Sequence, residues 1–386
     1  MFLADDATPV ETKFSIEIRE RFERRLDRDF LESNSDNRSD FFTRIRPGLT
    51  VTYGKHLSAY VEYQFAHTLG ITPGDKSWTT NSDARELYVR YKAPEATVTV
   101  GRQKAVMGGE RLIGMGEWTN VGRSFDGIRV QSREWDLLLA KIGVSAPKPR
   151  NAELAVAGRT WRAGQTLAIY KGDNVAAGDV RIYTLDHSQK ITRDRWDCDY
   201  DVAAQFGRNT GKDHEAWAVH FGAGYRQNAK NRLYLDLNAA SGGSSTTKSQ
   251  TFDNLYPTNH KFYGSMDMQG WKNMTEIALG WQHKLNAKSD LHLHGHWFGL
   301  MNAKDAWYSA AGTPNRRVGG VFRDPTGAAG KDVGFELDLE GTHRLDATTS
   351  FQLGIGVFEP GKFVERLNGG DADRQIWFYF QVMKRF

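Results

Sequence analysis

Apolar and polar residues alternate one for one along most of this chain, and no segment sustains the 3.6-residue period of a helix. Phe14, Ile16 and Ile18 take even positions with Ser15, Glu17 and Arg19 between them. Leu57, Ala59, Val61, Tyr63 and Phe65 alternate with Ser58, Tyr60, Glu62 and Gln64. The same pattern runs through Leu87-Val89-Tyr91, Trp217-Val219-Phe221, Leu233-Leu235-Leu237, Ile277-Leu279-Trp281, Phe335-Leu337-Leu339 and Phe351-Leu353-Ile355. In a strand, successive side chains point to opposite faces, so each run makes one apolar and one polar face. A mean hydropathy of −0.58 and the lack of any long apolar run exclude a helical membrane protein. They do not exclude a transmembrane β-barrel, whose strands meet lipid on one face and an aqueous lumen on the other.

The connections between runs separate a barrel from a soluble sandwich. Short ones (Tyr53 to Leu57, Lys92 to Ala96, Ser132 to Trp135, Gln227 to Asn231, Lys284 to Lys288, Arg344 to Thr348) alternate with long ones. The long ones are Arg24 to Asp40, Thr68 to Asp83, Gln103 to Ser124, Ala240 to Lys272, Met301 to Lys331 and Glu359 to Asp373. Short periplasmic turns and long outer loops are the barrel arrangement. The chain ends in the aromatic strand Arg374–Phe386, closing on Phe386. These features predict one all-β domain over residues 1–386, an antiparallel up-and-down barrel of about 18 strands, with about 16 as the alternative. The segments 151–161 and 164–171 are the ambiguous part, either a hairpin or irregular. Met1-Phe2-Leu3-Ala4 is too short for the signal peptide that export requires, so such a leader is expected to have been removed. The single cysteine, Cys198, excludes an internal disulfide framework.

Two loop segments carry a family likeness. Gly101-Arg102-Gln103, Gly109-Glu110-Arg111-Leu112-Ile113-Gly114, Trp118-Thr119-Asn120 and Gly122-Arg123-Ser124-Phe125-Asp126-Gly127 form the first. Thr251 to Gly264, with Tyr256-Pro257-Thr258-Asn259-His260, forms the second. With the terminal strand, the chain resembles the alginate-export family of outer-membrane barrels over most of its length. The resemblance implies an 18-stranded monomer whose loops and arginines narrow a positive passage for an acidic polysaccharide. The chain is shorter than the alginate exporter around residues 145–195, so passage of anions transfers more safely than alginate itself.

Placing the apolar parity outward puts the opposite parity in the lumen. Arg19, Arg21, Arg44, Arg46, Arg90, Lys92 and Arg129 then point inward, Arg111 and Arg123 lie on the 103–124 loop, and Arg102 sits at its entrance. Later strands contribute Asp197, Asp199, Asp201, Asp236, Glu276, Glu336, Asp338 and Glu340, expected to form a solvated acidic wall opposite. The arginines are read as the substrate pathway, because guanidinium groups fork onto carboxylates and keep their charge. The competing reading has them bracing the wall against carboxylates such as Glu17 or Glu86.

His292, His294 and His296 share one strand face at about 7 Å spacing, awkward for a single metal, and are read as polar lumen residues. Asp197, Asp199 and Asp201 lack a turn to wrap calcium. The tryptophans, Trp78 among them, are read as interfacial anchors, with Trp118 a candidate for sugar stacking. No phosphate loop and no nucleophile–base pair stands out, so no enzyme, cofactor, metal or nucleic-acid partner is expected. The leading expectation is an outer-membrane channel passing an anionic polysaccharide or acidic oligosaccharides through an arginine-lined aqueous lumen. Its expected partners are outer-membrane lipid and a periplasmic export component. The alternatives are a general porin for small anionic nutrients, and an enzymatic or plugged structural barrel.

Overall fold

The computed structural model describes residues 9–31, 33, 36–69, 80–144, 152–175 and 178–386. Trp78 and the leading Met1–Ala4 segment lie outside them. The first half of the wall is β1 (Val10–Leu26), β2 (Arg38–Tyr53), β3 (Leu57–Leu69), β4 (Asn81–Lys92), β5 (Ala96–Gln103), β6 (Ser124–Ser132), β7 (Trp135–Val144), β8 (Glu153–Thr160) and β9 (Gly164–Val175). The second half is β10 (Gly178–Arg193), β11 (Trp196–Asn209), β12 (Lys212–Arg226), β13 (Asn231–Ala240), β15 (Met274–Lys284), β16 (Ser289–Gly299), β19 (Asp332–Arg344), β20 (Thr349–Pro360) and β21 (Gln375–Arg385). Three two-residue strands, β14 (Lys248–Ser249), β17 (Arg316–Arg317) and β18 (Gly320–Val321), belong to loops. Each wall strand pairs antiparallel with the next, and β21 closes on β1 with Phe380 opposite Phe22, giving one closed barrel of 18 strands. The ambiguous 151–171 stretch is the regular hairpin β8–β9.

The period-two reading fixes which face each side chain takes. Along β3, Val61, Tyr63 and Phe65 stand out from the barrel while Glu62, Gln64 and Thr68 are buried inside it. Leu185, Phe221, Leu279, Leu339 and Leu353 likewise form an outward apolar surface, where lipid satisfies them and the closed ladder leaves no backbone edge unpaired. Long and short connections alternate less strictly than the sequence suggests. On the long-loop rim β11 and β12 are joined by Thr210-Gly211 alone, with Thr210 and Gly211 both at positive φ.

The lumen is not lined by wall side chains alone. The loops 104–123, 241–273 and 300–331 fold into the barrel, where Phe30, Ile113, Phe252, Tyr263, Trp271, Trp307, Phe322 and Phe358 form a buried apolar cluster. Eighteen strands enclose more space than wall side chains alone can fill. These loops carry the aromatic residues that fill it, so the inward parity of the wall packs against protein over much of its height.

Candidate functional site

The 104–123 loop crosses the lumen as a bar, anchored at both ends by its own sequence. Met107 and Ile113 bridge each other, and Ile113 also bridges Tyr256 of the facing loop. Gly108, Gly109, Gly116 and Gly122 all adopt positive φ, which lets the chain reverse repeatedly in a confined space. At Gly122 a Cβ would also sit 2.8 Å from the Arg85 guanidinium.

The arginines of β1 and β2 hold this bar. Arg19 donates to the carbonyls of Glu117 (2.7 Å) and Thr119 (3.1 Å) and to Asn120 Oδ1 (3.2 Å). Arg21 donates to the Trp118 carbonyl at 2.7 Å and lies 3.9 Å over the Trp118 ring. Arg44 reaches the Glu117 and Thr119 carbonyls and Glu17. The Glu117 carboxylate is gripped by Arg46 (2.7 Å), Arg85 (2.9 Å) and Arg44 (3.4 Å), with Lys104 at 4.0 Å. Burial would raise the Glu117 pKa, but the surrounding cations hold it well below the usual carboxylate range. The bracing contacts expected of the cluster are present: Glu17 pairs with Arg44, and Glu86 binds Lys104 at 3.1 Å. The main partner, however, is the Glu117 carboxylate on the loop and not the wall.

Two cavities meet at this bar. The outer one, 520 Å³, is lined by Arg21, Arg123, Lys171, Trp118, Tyr256 and His260 among others. The inner one, 390 Å³, is lined by Arg19, Arg44, Arg46, Lys104, Glu117 and Arg385 together with Trp118, Gln352 and Gln381. Trp118 borders both, and its ring stacks on His260 at 3.7 Å. The face expected for sugar stacking is therefore already covered by imidazole. His260 also meets Asp267 at 3.1 Å, and this carboxylate outweighs burial, which alone would lower the imidazole pKa, to leave it raised.

The other expected pathway residues disperse. Arg123 is enclosed in the bar, donating to the carbonyls of Gly114 (3.1 Å) and Pro257 (3.0 Å), and burial lowers its pKa to about 10. Arg111 sits across the lumen, bonded to Tyr263 Oη at 3.0 Å and 4.1 Å over Phe262. Burial opposes its charge, but Tyr263, Asp201 and Asp236 leave its pKa raised. Arg129 is tied to Asp136 (2.6 Å) and Arg90 to Thr99 (3.2 Å) on the inner wall. Arg102 departs from expectation: it follows the outward Val100 parity and pairs with Asp126 (2.6 Å) and Asp83 (3.0 Å) at the rim, not in the lumen.

Asp197, Asp199, Asp201, Glu336, Asp338 and Glu340 do share the inward face of β11 and β19. The wall is not solvated as expected, however. Glu336 and Asp338 are fully buried against the loop backbone, accepting from Met266 N–H (2.8 Å) and Ser265 N–H (3.1 Å). Asp197 is bound by Arg232, Asp199 by His220 (3.0 Å), and Glu340 accepts from the Tyr379 hydroxyl (3.1 Å). The loop that supplies the Ser265 and Met266 donors is one of those that fill the lumen, whereas Arg232, His220 and Tyr379 come from neighbouring wall strands.

Sequence reasoning missed Arg85, Lys104, Glu117 and His260. Plain alternation from Leu87 would turn Arg85 outward, but the register shifts between Glu62 and Tyr63, and the extra residue swings Arg85 inside. An arginine apparently facing lipid was the available signal, since such a placement costs about 2–4 kcal/mol at the bilayer centre.

The comparisons agree with this architecture. The alginate export family model matches residues 10–378. No curated protein matches the chain. Among solved structures, the Pseudomonas aeruginosa outer membrane protein OprD covers 97% of this chain and 94% of its own at 11% identity, with a TM-score of 0.63. OccK2 (OpdF) of the same organism, solved in complex with glucuronate, aligns at 9% identity and a TM-score of 0.64, covering 97% and 96%. OpdK, solved with vanillate, aligns at 12% and 0.64, covering 97% and 98%. At these identities the likeness is one of fold. Through the family match, the chain belongs to the alginate export family, and is an outer-membrane β-barrel channel of that family.

Proposed function

We propose that this barrel passes small anionic solutes, carboxylates of about the size of a single sugar acid, between the two basic cavities and past the 104–123 bar. The observation that carries the reading is the Glu117 carboxylate itself, held by Arg46, Arg85 and Arg44 at the boundary of the inner cavity. A cluster of cations that accepts this carboxylate has the geometry to accept one from a solute. Each cavity falls in the small-molecule range of roughly 300–1,000 Å³, and the bar lies between them. Transit then requires Glu117 and the solute to exchange places, with cations on both sides so that neither site traps the anion. OccK2 (OpdF) with glucuronate and OpdK with vanillate, both of this fold, are structures with acidic ligands.

Family membership supports a second reading, passage of an acidic polysaccharide, which requires the bar to leave the lumen. Proteoliposomes loaded with the purified barrel distinguish the two. Uptake of glucuronate without block by polyuronate supports the small-solute channel. Block by polyuronate at low concentration supports the polymer channel, and impermeability to both refutes each.

A further inference from the structure

Along the wall from β1, through β21, β20 and β19, β16 presents His292, His294 and His296 on its inward face. Their backbone spacing argued against a shared ion, but the rings converge. His294 Nδ1 lies 2.7 Å from His296 Nε2, and the ring centroids of His294 and His296 are 4.8 Å apart. Asp338 of the neighbouring β19 directs Oδ2 to within 3.9 Å of His294 Nε2 and 4.0 Å of His296 Nε2. One donor atom from each of these three residues lies within 4.8 Å of the others.

Charge compensation at this wall is incomplete. Glu276, Glu336 and Asp338 are essentially inaccessible to solvent; among the described residues Glu276 and Asp338 have only histidines as ion-pair partners within 4.0 Å, and Glu336 has none. Asp338 Oδ1 and Glu336 Oε2 find no hydrogen-bond donor among the described residues beyond each other's carboxyl. A buried carboxylate without a donor is costly unless it is neutralised or coordinates a cation. The histidine orientation fits the second alternative. Glu276 Oε1 sits 2.6 Å from His296 Nδ1, the carboxylate–imidazole contact that fixes the ring and turns Nε2, whose neighbour is His294 Nδ1 at 2.7 Å, toward the cluster. Glu340 Oε2, 3.6 Å from His294 Nε2, offers a fourth oxygen.

We propose that His294, His296 and Asp338 bind one divalent transition-metal ion in the barrel wall, with Glu276 orienting His296 and Glu340 completing the ligand set. Two neutral imidazoles and two carboxylates neutralise a dication. This nitrogen and oxygen set suits zinc, copper or nickel over magnesium. Ligands at about 2.0–2.1 Å in a tetrahedron stand roughly 3.3 Å apart. Asp338 Oδ2, at 3.9 and 4.0 Å from the two imidazoles, lies within about 1 Å of that spacing, and binding exchanges the 2.7 Å contact between His294 Nδ1 and His296 Nε2 for the ion. Because Ser265 N–H bonds the same Asp338, the ion ties three wall strands to the loop that fills the lumen.

The test is titration of the detergent-folded, chelator-stripped full chain with Co²⁺, followed by displacement with Zn²⁺. We expect one equivalent bound, with the visible absorption of a four-coordinate nitrogen and oxygen site, bleached by Zn²⁺. His296→Gln and Asp338→Asn should each weaken binding at least tenfold, and Glu276→Gln by roughly 10–100-fold. His220→Gln, a buried histidine elsewhere on the wall, should leave it unchanged. Heat-dependent gel mobility reports whether each variant is folded, and the wild-type spectrum needs no variant. No stoichiometric uptake by the wild type overturns the proposal, as does equal affinity in folded His296→Gln and Asp338→Asn.

Discussion

Replacing Glu117 with glutamine removes one negative charge from the narrowest basic point and leaves the side chain nearly the same size. The carboxylate faces Arg46 at 2.7 Å, Arg85 at 2.9 Å and Arg44 at 3.4 Å. Hydrogen bonds to charged groups contribute about 1.5–3 kcal/mol each, and the amide oxygen retains one of them. Breaking a buried ion pair costs about 3–5 kcal/mol. The Glu117 side chain stays 32% exposed, so water screens part of that loss. The low end applies, about 2 kcal/mol against the bar-in state, or roughly a 30-fold change in its population. Meanwhile Arg85 loses its 2.9 Å ion pair, and Arg44 and Arg46 are left to share Glu17 at 2.9 and 3.7 Å. In planar bilayers under a KCl gradient, Glu117→Gln should open more often and shift the reversal potential further toward that of chloride. A variant with the wild-type opening frequency and reversal potential would refute the idea that Glu117 both latches the bar and occupies the anion site.

Arg85→Met removes the cation that the bulge turns inward, and should weaken anion preference in the same bilayer assay; an unchanged preference would place Arg85 outside the pathway. Arg111→Gln breaks the 3.0 Å bond to Tyr263 and should lower the melting temperature with little change in selectivity, because Arg111 lies away from both cavities. Phe380→Arg puts a charge on the outward face at mid-strand and should reduce the urea stability of the vesicle-folded barrel by about 2–4 kcal/mol. The His260–Asp267 pair gives a pH dependence. The folded imidazole pKa is raised above its ordinary value near 6.5, so its stabilisation is complete below that value and fades as pH rises through the raised one. Trp118 fluorescence should therefore report a looser bar at pH 9 than at pH 6 in the wild type, and no such change in His260→Gln.

The wall was legible because lipid and lumen impose opposite demands on neighbouring residues. Val61, Tyr63 and Phe65 announce their face in sequence, and so do the arginines at 19, 21, 44 and 46. What the alternation does not encode is depth within the lumen. Nothing in the parity of Arg44 tells whether it meets water, Glu17 or a loop carbonyl, because that depends on chain 73 residues away. The solvated acidic wall failed for that reason: Glu336 and Asp338 face the 262–273 loop, whose buried N–H groups need them. Arg85 was missed for a local reason: one extra residue in β4 reverses its face. Arg102 keeps the outward alternation of Val100, and Asp126 and Asp83 hold it at the rim.

The wild-type reversal potential across a tenfold KCl gradient tests the central claim most directly. A barrel whose two cavities meet at Arg19, Arg21, Arg44, Arg46 and Arg85 should conduct chloride in preference to potassium. Potassium preference, or a folded barrel that carries no current, would contradict it.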